Sequence, residues 1–363
     1  MTMRKLALLA ALVLLVSSCQ KRPRPPYPTP YTPVGLTCGG VDDTDAIQQA
    51  VDISNQVNII GQKCAIDSAK TVWIPSGRTI IATGSVFTER PGCRPRCRLF
   101  ETKSGSNDIT FIDGELVGDP ANMTSLDWRF GMRLNDVRGF RMIGTRIRGF
   151  RFDALGIGGN AGSHYVEIER VVFEGNGRSH VSVARGSFIA FRKGVYRNVV
   201  AMPGTTLPNP GAAINIEGNS GDYVTDVVID GIEAYGNVKG VVVIPGKGLP
   251  HSRIQITNNT LTDNNLGGQG YGIIANSIQQ GLIYGNTISG SWLCMTIGGA
   301  TETTRASGLD ISRNVMTNCG TGGGFRLTGV KDSMVSLNDY PGAMQQPALG
   351  VSGNMIFAGN VQR

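Results

Sequence analysis

The sequence has few histidines and lacks long hydrophobic runs and Cys-x-x-Cys pairs. Its apolar run from Leu6 to Val16 has eleven residues, too few to span a bilayer, and no second run of that kind follows. Histidine occurs only at positions 164, 180 and 251, and no Cys-x-x-Cys pair is present. These absences argue against a metal site, and no cofactor is expected. No recognition helix or aromatic platform motif occurs, so nucleic acid is not an expected partner.

One short pattern recurs through the chain: an apolar residue, two others, an Asn or Gly, one more, and a second apolar residue. Its copies are 23 to 38 residues apart and begin at Phe111, Met142, Ile168, Phe191, Ile229, Ile256, Ile283 and Ile311. A repeat of this length is typical of a solenoid, in which each turn buries its apolar face only by stacking on its neighbours.

A second short segment with a period of two follows most copies of the pattern. These segments are Ala154–Ile157, His180–Val183, Ala213–Ile216, Gly240–Val243, Gly272–Ala275 and Gly324–Leu327. The period and the Ile and Val content indicate strands with one buried face, and no helix-length segment separates them. The fold class is therefore all-β, a right-handed parallel β-helix over residues 35–363 with a short N-terminal capping helix. Asn259, Asn286 and Asn314 are expected to stack at one corner.

The first 34 residues are expected to target the protein rather than join the fold. Residues 1–18 have the charge and apolar run of a signal peptide, and residues 19–34 form a Pro-rich tether. The stretch Val16-Ser-Ser-Cys19 resembles the lipobox of bacterial lipoproteins, which implies lipidation at Cys19. Gln20 in the next position is similar to the outer-membrane sorting signal, so the expected location is the cell envelope, as an outer-membrane lipoprotein on the periplasmic side or the cell surface, with the membrane as a partner through the lipid. The alternative is a free secreted protein.

Two stretches resemble known β-helix proteins. The sequence Asp42-Asp-Thr-Asp-Ala-Ile-Gln, followed by Val72-Trp-Ile-Pro-Ser-Gly77, resembles the start of pectate-lyase-like proteins, where a helix closes the N-terminal end of the solenoid. Pro208-Asn-Pro-Gly-Ala-Ala-Ile-Asn-Ile-Glu217 resembles a block in bacterial right-handed β-helix proteins. Asn215 stands where that block usually has Asp, and Gly218 where it usually has Pro. The loss of the Asp argues against a carboxylate mechanism.

Charge and cysteine usage add expectations about partners and redox state. Residues 129–197 contain 13 basic and 5 acidic residues, whereas residues 201–300 contain 3 and 6. A basic half favours an acidic polysaccharide as partner, although a solvated basic face explains it equally well. Beyond Cys19 six cysteines remain, and the preferred pairs are Cys38 with Cys64 and Cys93 with Cys97. Cys294 and Cys319 either bridge adjacent turns or stay thiols. The oligomeric state stays open.

Strand parity predicts the candidate site. If Val181, Val183, Ile214 and Ile216 point inward, the residues between them point outward and form one polar cluster. The predicted catalytic residues are His180, Glu217 and Arg185, and the predicted substrate-binding residues are Arg151, Asn160, Arg178, Ser182, Asn215 and Asn219. This placement follows the fold-level resemblance, because pectate-lyase-like enzymes carry their sites on outward strand positions.

Two mechanisms compete for this cluster. A lyase needs a base and a cation that neutralises a uronate carboxylate, roles that suit His180 and the nearby arginines. A glycosidase needs two carboxylates, but Glu217 is the only clear outward acid, since parity places Asp153 inward or at a corner. The leading hypothesis is therefore a lyase acting on an acidic polysaccharide. The alternatives are a non-catalytic glycan-binding or adhesion protein and a glycoside hydrolase. If Glu217 has no function, its expected structural role is an ion pair with Arg185.

Overall fold

The chain winds into a right-handed parallel β-solenoid of about 10 turns with one short helix. The computed structural model describes residues 33–90, 97–119, 129–199, 211–218, 222–244, 250–299, 305–341, 351–352 and 355–362. They belong to one compact unit, Pro33–Arg363. The predicted signal peptide, most of the tether, and Cys19 and Cys93 lie outside the described residues, so the predictions about them stay untested.

Three parallel sheets run along the solenoid, and each complete turn contributes to all of them. Sheet 1 consists of Val34–Gly35, Gln56–Asn58, Thr79–Ile81, Asn107–Ile112, Arg138–Ile143, Ser163–Glu169, Gly186–Arg192, Val224–Asp230, His251–Thr257, Ile278–Gln279, Leu282–Tyr284, Ala306–Ser307, Asp310–Ser312, Val330–Lys331, Met334–Ser336, Val351–Ser352 and Ile356–Ala358. Sheet 2 consists of Lys63–Ile66, Val86–Glu89, Glu115–Val117, Arg146–Arg148, Val172–Glu174, Val195–Arg197, Glu233–Tyr235, Thr260–Thr262, Thr287–Ser289, Val315–Thr317, Asp339–Tyr340 and Val361–Gln362. Sheet 3 consists of Val72–Ile74, Arg98–Thr102, Phe130–Asn135, Asp153–Gly158, Ser179–Val183, Ala212–Glu217, Lys239–Ile244, Tyr271–Asn276, Leu293–Gly298 and Gly323–Thr328.

The core is a column of apolar side chains that stack from turn to turn. Ile214 pairs with Val241, and Val241 with Ile273, in register, and all three are fully buried. The predicted strands of the second type all fall within strands of sheet 3. The repeat therefore has the predicted role, because the inward side chains of one turn are covered by apolar side chains of the turns before and after it.

The one helix among the described residues, Thr44–Ile53, packs against the first turns of the solenoid, and its apolar face of Ile47, Ala50 and Val51 is buried. Asp43 occupies the N-cap position but does not cap the helix. Its carboxylate accepts hydrogen bonds from the backbone N–H groups of Gly39 and Ala65, at 2.6 and 2.9 Å. Asp43 thus ties the preceding loop to the first turn instead of capping the helix.

The predicted asparagine stack is present and continues for two further turns. The amide of Asn259 donates to Asn286 at 2.9 Å, and Asn286 donates to Asn314 at 2.8 Å. Asn338 and Asn360 extend the stack. Each of these side chains also accepts the backbone N–H of the residue stacked before it, so the stack satisfies buried backbone groups at a tight corner.

Two disulfides join neighbouring segments of the described chain. The predicted Cys38–Cys64 bond is present, and Cys294 and Cys319 bridge adjacent turns rather than remaining thiols. Asp43 lies beside Cys38 and Cys64, but both sulfurs are committed to the disulfide and are not free to bind a metal. Within the described ranges, no helix has the length and apolar character needed to cross a bilayer.

Candidate functional site

Several strands of sheet 3 begin with a bend at which two consecutive residues face the core. Ala154 and Leu155 are both fully buried in the apolar core, as are Ala213 and Ile214. The ladder pairs Asp153 with Ser179 and Leu155 with Val181, but it omits the residue between them. Strict alternation therefore fails at the first positions of these strands. As a consequence, Asp153 faces outward and His180 faces inward, the reverse of the sequence-based prediction.

His180 lies in the core and is not the exposed, outward-facing base that strand parity predicts. The His180 side chain is fully buried beside the Phe173 and Tyr196 rings. This burial lowers the pKa of His180 to about 3. Its Nδ1 lies 2.9 Å from the Asn176 amide nitrogen, and its Nε2 lies 3.1 Å from Asn237 Oδ1.

The position of His180 explains why a histidine is buried there. Asn237 and Asn264 form a second asparagine stack. The backbone N–H of Val199 donates to the Asn237 side chain, just as the backbone N–H of a stacked asparagine does. Val199 has no amide side chain, so the stack is interrupted between Asn176 and Asn237. The neutral imidazole fills the gap: Nδ1 accepts from Asn176 and Nε2–H donates to Asn237.

A cleft with a volume of about 490 Å³ opens on the outer face of sheet 3. It combines aromatic, basic and acidic side chains and is lined by residues that include Phe130, Arg133, Phe152, Asp153, Asn160, Arg178, Ser182, Arg185, Glu217 and Asp222. Gly156 shapes its floor, because a Cβ atom there would lie 2.8 Å from the Phe130 ring. The Phe130 and Phe152 rings meet edge to face, with their centroids 5.5 Å apart.

Arg178 is the centre of this cleft. Its guanidinium lies over the Phe152 ring, 4.4 Å from the centroid, and its Nε donates to Asp153 Oδ1 at 3.0 Å. Its Nη2 donates to Asp153 Oδ2, Ser182 Oγ and Glu217 Oε1, at 3.1, 2.8 and 2.5 Å. Since one nitrogen contacts both carboxylates, their nearest oxygens are at most about 5.6 Å apart, an upper bound that is compatible with the two carboxylates of retaining glycosidases, which are about 5–5.5 Å apart.

The two carboxyl groups have different environments. Asp153 is 1% exposed, and burial raises its pKa to about 6 even though Arg178 favours the ionised form. The Glu217 side chain is 37% exposed and faces the open cleft. Such a difference is what an acid and its ionised partner require at one site, because it allows one group to hold a proton while the other stays charged.

The other basic side chains of the cleft also have acidic partners. Arg185 lies 3.4 Å from Asp222 and donates to the backbone carbonyl of Asn160. Arg133 lies 3.9 Å from Glu101. The expected ion pair between Glu217 and Arg185 is therefore replaced by pairs of Glu217 with Arg178 and of Arg185 with Asp222. No cleft arginine among the described residues is left without a carboxylate within 4 Å.

The predicted binding residues divide into three groups. Asn160, Arg178 and Ser182 line the cleft together with Glu217 and Arg185. Arg151 and Asn215 do not line it: Arg151 is 8% exposed, and Asn215 is fully buried beside Ser182 in the ladder, with neither side-chain amide atom hydrogen-bonded. Asn219 lies outside the described residues.

Sequence reasoning missed Asp153, Asp222 and the two phenylalanines of the cleft. A signal for Asp153 was present in the repeat, because the residue after it is small in most turns. The corresponding positions hold Ala154, Ala213, Gly240, Gly272 and Gly324. A small residue directly before a large apolar one marks the bend at which both face inward, and it puts the residue before them on the outer face.

Comparison with known proteins identifies the fold and no family. No protein-family model matches the chain, and no curated protein sequence matches it. Similar solved structures include a mutant tailspike protein of the E. coli bacteriophage HK620 in complex with a pentasaccharide. It has a TM-score of 0.62 and 11% identity, with 90% of this chain and 62% of the tailspike covered.

Two further structures are similar over nearly their whole length. PfbA, a surface adhesin of Streptococcus pneumoniae, has a TM-score of 0.53 and 11% identity, with 91% of this chain and 90% of the adhesin covered. The A-module of the mannuronan C-5 epimerase AlgE6 from Azotobacter vinelandii has a TM-score of 0.50 and 14% identity, with 90% and 97% covered. The likeness concerns the parallel β-helix fold.

Proposed function

We propose that the cleft binds a polysaccharide and that the protein cleaves it by glycoside hydrolysis. The observation that carries this proposal is the pair of carboxyl groups held by Arg178. Asp153, with its pKa raised to about 6, is the general acid, and the exposed Glu217 is the base or nucleophile. Phe130 and Phe152 supply apolar surface for the C–H faces of a sugar ring, and Asn160 and Ser182 supply polar groups at the same cleft.

Hydrolysis accounts for the cleft better than elimination, the leading hypothesis from the sequence. Elimination requires a base, and the residue assigned to that role, His180, is fully buried among core side chains. It also requires a cation free to neutralise a uronate carboxylate, whereas Arg178 and Arg185 already pair with acids of the cleft. A pectate-lyase-like chemistry and a strictly acidic substrate consequently have less support than polysaccharide binding itself.

The solved structures with similar folds support a saccharide ligand without naming one. One holds a pentasaccharide, and another is an epimerase of mannuronan. We further propose that residues 1–18 direct export and that Cys19 carries a lipid, which places the protein in the cell envelope, where it meets polysaccharides. The resemblance of the first twenty residues to lipoprotein signals supports this location.

The second candidate function is binding or adhesion without catalysis. It is favoured by the depth of Asp153, whose carboxyl lies beneath Arg178 and is 1% exposed. An acid in that position reaches a glycosidic oxygen only if Arg178 moves away. The surface adhesin with a similar fold supports the same candidate.

One assay separates the three chemistries. The protein is incubated with alginate, polygalacturonate, hyaluronate and dextran, and both new reducing ends and the ultraviolet absorbance of unsaturated ends are followed. Hydrolysis should release new reducing ends without ultraviolet absorbance, and elimination should give both signals. A protein that only binds the polymer should retain it and give neither signal. Retention of a polymer with neither signal would contradict the catalytic proposal.

The pH dependence of cleavage gives a further check. Asp153 must hold its proton, so hydrolysis should decline as the pH rises through about 6. A rate that keeps increasing from pH 6 to pH 8 would contradict the role of Asp153 as the acid.

A further inference from the structure

Three exposed aromatic side chains lie just past the cleft, where the chain turns from sheet 3 into sheet 1. Tyr165, Phe188 and Tyr223 are 37%, 49% and 50% exposed. They belong to consecutive turns, since the ladder pairs their neighbours His164 with Ser187 and Gly186 with Val224. Each follows a cleft residue by one to five positions: Asn160, Arg185 and Asp222. We call Tyr165, Phe188 and Tyr223 the aromatic rim.

Two residues of the aromatic rim adopt a backbone conformation that does not suit them. Tyr165 and Phe188 have φ angles of 57° and 55°. The ladder pairs the residues on either side, His164 with Ser187 and Val166 with Ile189, so these two side chains are pushed out of the pairing. Large side chains are disfavoured in this region, and strained positions persist where something else requires them.

Three other turns place residues at the same position that suit it better. Asp108, Gly139 and Asp226 have positive φ there, and Gly and Asp tolerate that conformation well. Arg253 and Gln280 also have positive φ at this position, and Arg253 pairs with Asp226. Since Tyr165 and Phe188 are exposed, core packing does not account for aromatic rings at these two turns.

The geometry of the rings indicates the kind of ligand. The Tyr165 and Phe188 rings stack in parallel, with centroids 4.8 Å apart and planes within 4°, and the Arg138 guanidinium lies 4.7 Å from the Tyr165 centroid. The stack fixes the rings before any ligand arrives, so little side-chain entropy is lost on binding. Arg138 belongs to the preceding turn and Phe188 to the following one, so both faces of the Tyr165 ring are covered, and the apolar surface of the rim consists of the ring edges and of Phe188. Such a surface beside polar groups such as Arg138 and His164 suits a pyranose, whose C–H face is apolar and whose rim carries hydroxyls.

We propose that the aromatic rim is a second contact site for a saccharide chain that leaves the cleft past Arg185. This inference rests on the proposed function and extends it: the ligand is a polymer longer than the cleft holds, and the aromatic rim binds sugar rings beyond the cleft. A short fragment fills only the cleft, whereas a long one spans the cleft and the aromatic rim.

The test compares long and short saccharides on a variant in which Tyr165→Asn and Phe188→Asn are combined. Asparagine tolerates positive φ, so thermal unfolding should change little while the aromatic surface is lost. Binding is measured by calorimetry with size-graded fractions of alginate, polygalacturonate, hyaluronate and dextran, using the full chain. For a fraction of about twenty sugars the variant should bind about tenfold more weakly than the wild type, and for tetrasaccharides it should bind equally. Trp73→Asn, at a 36% exposed aromatic residue of the first strand of sheet 3, is the matched control and should change neither affinity.

The possible outcomes separate the two proposals. Equal affinity of variant and wild type for the long fraction would overturn the aromatic rim and leave the cleft intact. Equal weakening at both lengths would also overturn it, because the change would then act through the cleft or the fold. If the wild type binds none of the four polymers at any length, both proposals are contradicted.

Discussion

At the scale of single residues, two polar side chains show how the surroundings decide a side chain's role. Arg178 lies between the buried Asp153 and the exposed Glu217, and its charge offsets only part of the effect by which burial raises the pKa of Asp153. His180 holds no charge at all, because it replaces a missing amide inside the core. The first residue belongs to the surface chemistry and the second to the stability of the fold.

The neutral state of His180 predicts a specific pH dependence of stability. Its pKa is lowered to about 3 in the folded protein, against an ordinary value of 6.5, so below pH 6.5 the unfolded chain takes up a proton that the folded chain does not. This group's contribution to stability is therefore full above pH 6.5 and is lost as the pH falls from 6.5 towards 3. Between pH 7.5 and 5 the loss should be about 2 kcal/mol.

His180→Gln isolates this contribution from other titrating groups. Asp153 has the opposite effect on the pH dependence of stability. Because its pKa is raised from 3.8 to about 6, the folded protein binds a proton there before the unfolded chain does as the pH falls from about 6 to 3.8. Urea unfolding of the wild type and of His180→Gln, at pH 7.5 and at pH 5, gives the difference in free energy of unfolding between the two proteins at each pH. The wild-type advantage should shrink by about 2 kcal/mol at pH 5. An advantage that is the same at both pH values would show that His180 is not neutral and buried.

At the scale of secondary-structure elements, the sequence predicted the strands well and the cleft only in part. The spacing of the repeats and the alternation of Ile and Val placed Ile214, Val241 and Ile273 correctly, because inward positions of a stacked strand tolerate only apolar residues. Alternation failed at the bend before Leu155 and Val181, where two neighbouring residues turn inward. Parity counted across that bend assigned Asp153 and His180 to the wrong faces.

The gap filled by His180 depends on contacts between distant segments. The second asparagine stack continues past Val199 only because His180 contacts Asn237, a residue 57 positions away in the sequence. No local pattern specifies that meeting. The asparagine stack near the C-terminal half was predictable for the opposite reason, since the repeat itself places Asn259, Asn286 and Asn314 in register.

The asparagine stack predicts a position-specific loss of stability. Asn286 accepts from the backbone and side chain of Asn259 and donates to Ile256 and Asn314, all within 3.1 Å. Asn286→Ala leaves these buried groups unpaired and should lower the free energy of unfolding by about 2–4 kcal/mol. Urea denaturation measures it, and the exposed neighbour variant Thr287→Ala should change stability by less than about 0.5 kcal/mol. Equal effects of the two substitutions would contradict a structural role for the stack.

At the scale of the whole molecule, the proposed lipid at Cys19 would tether the protein to a membrane. The anchor prediction concerns Cys19, and Cys19→Ser tests it directly. In a bacterial host supplied with a labelled fatty acid, the wild type should incorporate the label and partition into detergent. The Ser variant should do neither, because it lacks the sulfur that carries the lipid. Label in both proteins, or in neither, would contradict lipidation at Cys19.

The proposed function depends most directly on Glu217, the exposed acid that contacts Arg178. Glu217→Gln keeps the size of the side chain and one oxygen for that contact while removing the charge. The decisive measurement is the release of reducing ends from a polymer that the wild type cleaves, with binding of the same polymer measured in parallel. The account predicts a loss of at least a hundredfold in the rate of cleavage, with polymer affinity retained within about threefold. A variant that cleaves as fast as the wild type would contradict a cleft in which Asp153 and Glu217 hydrolyse the chain.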